Sequence, residues 1–289
     1  MKVTQADNCV VISGVTDFDP THTFMCGQCF RWDMEHDGSY TGVAFSKAVN
    51  VSVADNCVVI KNINVNEFDT IWKNYLDFNT DYNAIKEILK SDQNVKTAME
   101  FGWGIKILNQ ELFECLISFI ISTQNAIPRI KKIVAKLSEM YGDKISYNSK
   151  TYYAFPTLRN LLGVTESDLA PLKAGYRASY IVDAVEKISS GEVRLDLVGE
   201  MPYSEAKKEL MKIKGVGPKV ADCVLLFSCG KKEAFPIDVW VKRTVQTLYL
   251  DENAKEKEIS AFASEHFGSY AGVAQQYLFY YARENKLGQ

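Results

Sequence analysis

The sequence predicts an α+β protein: an N-terminal antiparallel β-sheet domain packed on a larger all-α domain. Three observations carry this. Short β-rich runs behind turn dipeptides occupy the chain up to about residue 65, helical periodicity takes over from about Glu67, and a Gly/Pro-rich hairpin separates two helices near residue 215. With 289 residues the chain has room for more than one subdomain. The expected division is 1–100 for the sheet domain with its following helices and 101–289 for the helical domain.

The strand signals come first. Cys9-Val10-Val11-Ile12 and Cys57-Val58-Val59-Ile60 are each preceded by Asp-Asn, a turn feeding a β-rich run. Asp37-Gly38 sits between Cys29–Met34 and Ser39–Ala44 and reads as a hairpin, because Asp-Gly tolerates the positive φ of a tight turn. The periodicity then predicts helices over 67–77, 81–90, 111–121, 126–141, 175–190, 203–212, 218–229, 239–250, 255–267 and 270–286.

Composition narrows the class. Hydrophobic residues at 47% and charged residues at 24% describe an ordinary globular chain. The apolar stretch 112–121 is far too short to span a bilayer, and the N-terminus lacks a charged-then-apolar signal pattern. Seven scattered cysteines do not form a disulfide framework, so a cytoplasmic protein is expected. The net charge of −3 argues at first against a nucleic-acid partner. Its distribution does not: 1–100 holds 8 basic against 14 acidic residues, whereas 121–250 holds 20 against 14. The basic stretch can present a local phosphate-binding face, although imbalances of this size also occur on proteins without such a partner.

The segment that carries chemistry is Leu210-Met211-Lys212-Ile213-Lys214-Gly215-Val216-Gly217-Pro218-Lys219-Val220-Ala221-Asp222-Cys223. A helix ends near Lys212, the glycines permit a tight hairpin, and Pro218 suits the first turn of the next helix. Outward N–H groups at Gly215 and Gly217, together with a helix N-terminus, make a phosphate clamp, although a plain helical corner uses the same residues. Lys219 lies in the first turn of that helix, where the dipole disfavours a further positive charge. A neutral amine attacks carbon, and lysine is the usual side chain for Schiff-base chemistry. Nineteen residues on, in Phe235-Pro236-Ile237-Asp238-Val239-Trp240, Asp238 follows an extended piece and precedes a helix, which makes it an N-cap carboxylate.

The hairpin over about 203–229, the Lys four residues after its first Gly, and the Pro-x-Asp beyond resemble the helix-hairpin-helix DNA glycosylase superfamily, and within it the 8-oxoguanine DNA glycosylases. Four further segments carry the likeness: Gly27-Gln28-Cys29-Phe30-Arg31-Trp32, Ser122-Thr123-Gln124-Asn125 through Ile130, Gly175-Tyr176-Arg177-Ala178, and Ala271-Gly272-Val273-Ala274-Gln275 with Phe279. The resemblance implies a bifunctional glycosylase and AP lyase acting on duplex DNA that contains 8-oxoguanine, with the damaged nucleotide flipped into a pocket.

It further implies that Lys219 attacks the sugar while Asp238 stabilises the cationic transition state. Phe279 and Cys223 sandwich the base, Gln275 reads it, and the carbonyl of Gly27 tests for the N7 hydrogen. Tyr176 becomes the wedge; Arg177, Arg129 and Gln124 face the orphaned base. Gln124 stands where animal members carry Asn, and Trp240 where many carry a phosphate-contacting His. Each is core or surface residue by default without the resemblance. No cysteine follows Cys229, which argues against the iron–sulfur cluster of related endonucleases. Cys26-Gly27-Gln28-Cys29 has no second pair or nearby His and is not read as a zinc or redox site. No cofactor is expected, with room for a monovalent cation on the carbonyls of Met211, Ile213 and Val216. A monomer with no membrane partner is expected, associated with the nucleoid if bacterial. The competing readings are a glycosylase for another damaged base and a non-catalytic DNA-binding module that has no need of Lys219.

Overall fold

The computed structural model describes residues 1–287. Six strands, β1 (Lys2–Ala6), β2 (Cys9–Ser13), β3 (Trp32–Met34), β4 (Tyr40–Ala44), β5 (Lys47–Ala54) and β6 (Cys57–Lys61), form one antiparallel sheet in the order β1-β2-β6-β5-β4-β3. The two look-alike runs are neighbours in it, with Cys9 opposite Lys61 and Ser13 opposite Cys57. Both central residues of the β5–β6 turn, Asp55 and Asn56, have positive φ, the conformation that matches the twist of a two-residue hairpin. One face, carrying Val10, Ile12, Val49, Val51, Val58 and Ile60, packs on Phe24, Phe68 and Trp72. Phe24 stacks on Trp32 with centroids 4.0 Å apart.

Between β2 and β3 lies α1 (Pro20–Met25), which the periodicity did not reveal. Asp19 caps it by accepting from the His22 N–H at 2.8 Å, and Pro20 occupies its first position. The strand expected from Cys29 begins only at Trp32. Cys29 and Phe30 are buried in the approach to it, with Cys29 in the sheet core and Phe30 in the helical core. The first helical run, 65–75, is α2 (Val65–Glu67) and α3 (Lys73–Tyr75) joined by a π-helical turn, Phe68–Trp72.

The remaining helices are α4 (Tyr82–Leu89), α5 (Gln93–Phe101), α6 (Leu112–Ser122), α7 (Ile127–Tyr141), α8 (Arg177–Ser189), α9 (Tyr203–Leu210), α10 (Pro218–Ser228), α11 (Val239–Leu248), α12 (Glu256–Phe267) and α13 (Ala271–Glu284). A small hairpin, β7 (Lys144–Tyr147) with β8 (Lys150–Tyr153), follows α7. Neither α5 nor this hairpin was expected from the periodicity. Tyr82 and Ile85 of α4 and Val95 and Ala98 of α5 pack in the helical core. At its centre runs α6, buried from Cys115 to Ile121. Among the described residues, no helix is long and apolar enough to cross a membrane.

Candidate active site

The hairpin joining α9 to α10 is built from Gly215, whose φ of +81° lies in the region that favours glycine. The choice is doubly constrained, because an added Cβ would fall well under 3.0 Å from the Tyr180 ring of α8. Two bonds from α8 brace the turn: the Lys214 N–H donates to Asp183 at 2.6 Å, and Lys187 Nζ donates to the Lys212 carbonyl at 2.6 Å. Gly217 differs. Its backbone is extended, open space surrounds it, and as N-cap it leaves the first N–H groups of α10 without a side-chain acceptor. This open helix N-terminus is suited to an anion.

Lys219, in the first turn of α10, is half-buried, with Nζ 5.3 Å from the Phe119 ring centroid. Asp238 caps α11 in extended conformation, accepting from the Val241 N–H at 2.8 Å. Burial raises its carboxyl above the usual carboxylate range, while the Val241 N–H and the Lys219 charge pull it down. Both side chains line one cavity of about 40 Å³, with Gly27, Cys223, Gln275 and Phe279. Helical spacing explains the grouping: Lys219, Cys223 and Phe227 recur every fourth residue of α10, as Gln275 and Phe279 do on α13. Burial pushes the Cys223 thiol up to about 11, so it stays protonated and serves as a packing surface.

Gln275 is 4% exposed, and its Oε1 is buried without a hydrogen-bond partner. Such an acceptor costs about 1–3 kcal/mol unless something donates to it, and at the cavity wall it is free to accept from a donor that enters. The wall facing α13 comes from the N-terminal part of the chain. Gly27 has φ +88°, and a Cβ there would lie 3.0 Å from Phe279 Cε1. Gln276 Nε2 ties the same loop to α13 through the Cys26 carbonyl at 2.8 Å. Phe119, Phe227, Pro236 and Gln276 also line the cavity and were not singled out from the sequence. Phe227 was legible as the next turn after Cys223, whereas Phe119 looked like any other core residue of an apolar helix.

The remaining expected residues gather where α6 ends. Gln124 has φ +47°, and the exposed Tyr176 donates to its Oε1 at 3.3 Å. Arg129 is exposed and donates to the Lys173 carbonyl at 3.1 Å. Arg177 departs from expectation as a reader of a base. It is 5% exposed, and its guanidinium donates to the carbonyls of Thr123, Gln124 and Ala174. Those bonds brace the 123–124 turn that presents Gln124, so in this conformation Arg177 supports that surface instead of facing solvent. Trp240 is half-buried in the first turn of α11, two residues past Asp238. In the Cys26–Cys29 pair both thiols are buried, and each donates to a backbone carbonyl, Thr23 and Phe24 respectively. A larger cleft of about 830 Å³ opens between the sheet and the β7–β8 hairpin; its lining, including Asn50, Lys61 and Tyr147, contains none of the expected site residues.

Residues 117–268 match the profile of the HhH-GPD superfamily of base excision DNA repair proteins. The chain belongs to this superfamily. Residues 10–116 match the N-terminal domain of 8-oxoguanine DNA glycosylases, so within the superfamily the two halves point to one branch. An HhH-GPD relative from Methanothermobacter thermautotrophicus, a probable N-glycosylase/DNA lyase, is 31% identical over 216 residues, covering 68% of this chain and 69% of that one. The N-glycosylase/DNA lyase of Saccharomyces cerevisiae is 33% identical over 61% of this chain and 56% of its own. The 8-oxoguanine glycosylase/lyase of Clostridium acetobutylicum, solved with duplex DNA bearing cytosine opposite the lesion, superposes with a TM-score of 0.97 at 45% identity, covering 99% of both chains.

Proposed function

We propose that this HhH-GPD protein excises 8-oxoguanine from duplex DNA and nicks the strand at the resulting abasic site, through a Schiff base on Lys219. The observation that carries the reading is a single cavity in which an amine, a carboxylate and an unpaired buried amide oxygen meet. A volume of about 40 Å³ is close to the ~30 Å³ share of one water, far too little for a purine. In this reading a flipped base enters as Phe279 shifts and stacks on it, with Cys223 on the other face.

The amine of Lys219 bonds to C1′ as the C1′–N9 bond breaks, and the base leaves with the electron pair and takes up a proton. Opening of the sugar at O4′ then yields the iminium. Loss of a C2′ proton expels the 3′ phosphate and nicks the strand, and water releases the enzyme. Asp238, ionised and fixed by the Val241 N–H, stabilises positive charge at C1′. Gln275 Oε1 accepts from the base edge, and the Gly27 carbonyl accepts the hydrogen that only the oxidised base carries on N7.

Duplex binding falls to the open N-terminus of α10 at Gly215 and Gly217 and to the indole N–H of Trp240, a single neutral donor. Tyr176 fills the vacated stack, and Gln124 and Arg129 meet the orphaned base on the turn that Arg177 braces. The reaction needs no redox cofactor or iron–sulfur cluster. A monovalent cation fits the hairpin only beside an existing bond, because the Ile213 carbonyl already accepts the Val216 N–H at 3.0 Å. A monomer acting on the nucleoid or other cytoplasmic DNA suits this chemistry.

Borohydride trapping with an 8-oxoguanine duplex tests the reading. A covalent protein–DNA product is expected from the parent and none from Lys219→Gln. Tight binding without any trapping by the parent would instead identify a non-catalytic DNA-binding module, and trapping only with another lesion a sister glycosylase.

A further inference from the structure

Arg283 lies one turn beyond Phe279 on α13 and continues the row of Gln275 and Phe279. Two of its three guanidinium nitrogens are engaged and the third is not. Nη2 donates to the Met25 carbonyl at 2.6 Å, Nε donates to Glu284 at 2.9 Å, and Nη1 is buried with no partner. That orphan nitrogen sits beside Gly27, 3.2 Å from where a Cβ would project, and the group lies 5.4 Å from the Phe279 ring centroid. Together with Gln276, which holds Cys26, Arg283 pins the Gly27 loop to α13 on either side of Phe279.

Arg283 does not line the present cavity, but its guanidinium lies against the ring of Phe279, which does. On the base-entry reading above, that ring moves aside for the purine, and Nη1, beside Gly27, borders the space it leaves. We propose that Arg283 is a specificity-determining residue of the base pocket. It fixes the loop that carries Gly27 and holds an unspent N–H for the oxygen that the lesion carries at C8, next to the N7–H met by the Gly27 carbonyl. The inference rests on the base-pocket reading of this cavity. A buried N–H group without an acceptor is costly even on a guanidinium that is otherwise paired, and an acceptor arriving with the substrate removes that cost only in the loaded state.

The test compares single-turnover excision of 8-oxoguanine with that of 8-thioguanine, which keeps the N7–H and replaces the C8 oxygen by a weaker sulfur acceptor. Arg283→Met preserves the apolar stem over Phe279, and Arg283→Lys preserves charge without the fork. The parent's preference for the oxygen lesion should shrink about tenfold in Arg283→Met, the size of one charge-assisted hydrogen bond. Arg283→Lys, with one ammonium for two acceptors, should restore little of it. A purely structural role lowers both rates alike and leaves the ratio unchanged, which would overturn the proposal. A parent inert on 8-oxoguanine would instead remove the function proposed above, and urea unfolding of each variant separates loss of fold from loss of preference.

Discussion

Replacing Gly215 by Ala tests how the hairpin is held. The new Cβ meets two separate obstacles, a φ of +81° and the ring of Tyr180. The left-handed backbone costs an L-residue about 1–2 kcal/mol, and forcing a methyl against a packed ring about 1–3 kcal/mol. The single variant should therefore lose about 2–5 kcal/mol in urea unfolding. Tyr180 cannot withdraw freely, because it packs edge-on against Tyr176 at 5.4 Å and carries Lys214 Nζ 5.8 Å from its centroid. Removing the ring in Tyr180→Ala/Gly215→Ala relieves the collision but not the backbone strain, so the double variant should recover about 1–3 kcal/mol relative to the sum of the singles. Anisotropy with a duplex carrying an abasic analogue should show the affinity of Gly215→Ala falling in parallel. A Gly215→Ala protein with the parent's urea midpoint, or singles that simply add, would refute this account of the turn.

In the proposed mechanism the raised carboxyl of Asp238 is expected to set the acid limb of the rate. Because the ionised form is required and burial lifts its titration, excision should fail on acidification earlier than for an ordinary carboxylate near 3.9; Asp238→Asn should flatten that limb and slow single-turnover excision by about 100–1,000-fold. Burial pushes Glu114, beside Arg31 at 3.2 Å, up to about 7. The folded state thus holds this proton more tightly than the unfolded chain, so the stability it contributes is full below the ordinary value of 4.5 and is lost as pH rises through about 7. Across that window the parent should lose on the order of 3 kcal/mol in chemical denaturation, a slope that Glu114→Gln removes. Gly27→Ala should destabilise by about 1–2 kcal/mol through its positive φ and, by pressing on Phe279, reduce excision far more than it reduces duplex binding in gel shifts.

Much of the fold was legible because its signals were local. The Asp-Asn and Asp-Gly turns marked the sheet, and apolar spacing marked most helices within two residues or so. What escaped lacked such spacing. The six residues of α1 show too little periodicity, although Asp19-Pro20 was a legible start, and the β7–β8 strands are four polar-flanked residues each. The site was legible in part for another reason. Lys219 stood out from the hairpin itself, whereas Cys223, Gln275 and Phe279 came only from the family resemblance, and Phe119 and Arg283 enter through packing between distant segments. Arg177 shows the limit of residue type as a guide: an arginine near an exposed loop looks like a donor to a partner, yet its bonds go to carbonyls of its own chain.

The loop from Cys26 to Phe30 is rooted in both cores, with Cys29 among the sheet's residues and Cys26 and Phe30 among the helical ones. The cavity is therefore walled by opposite ends of the polypeptide, Gly27 from one and Gln275 and Phe279 from the other. A fragment severed between the two halves would lose the wall that Gly27 supplies while keeping Lys219, Cys223, Gln275 and Phe279.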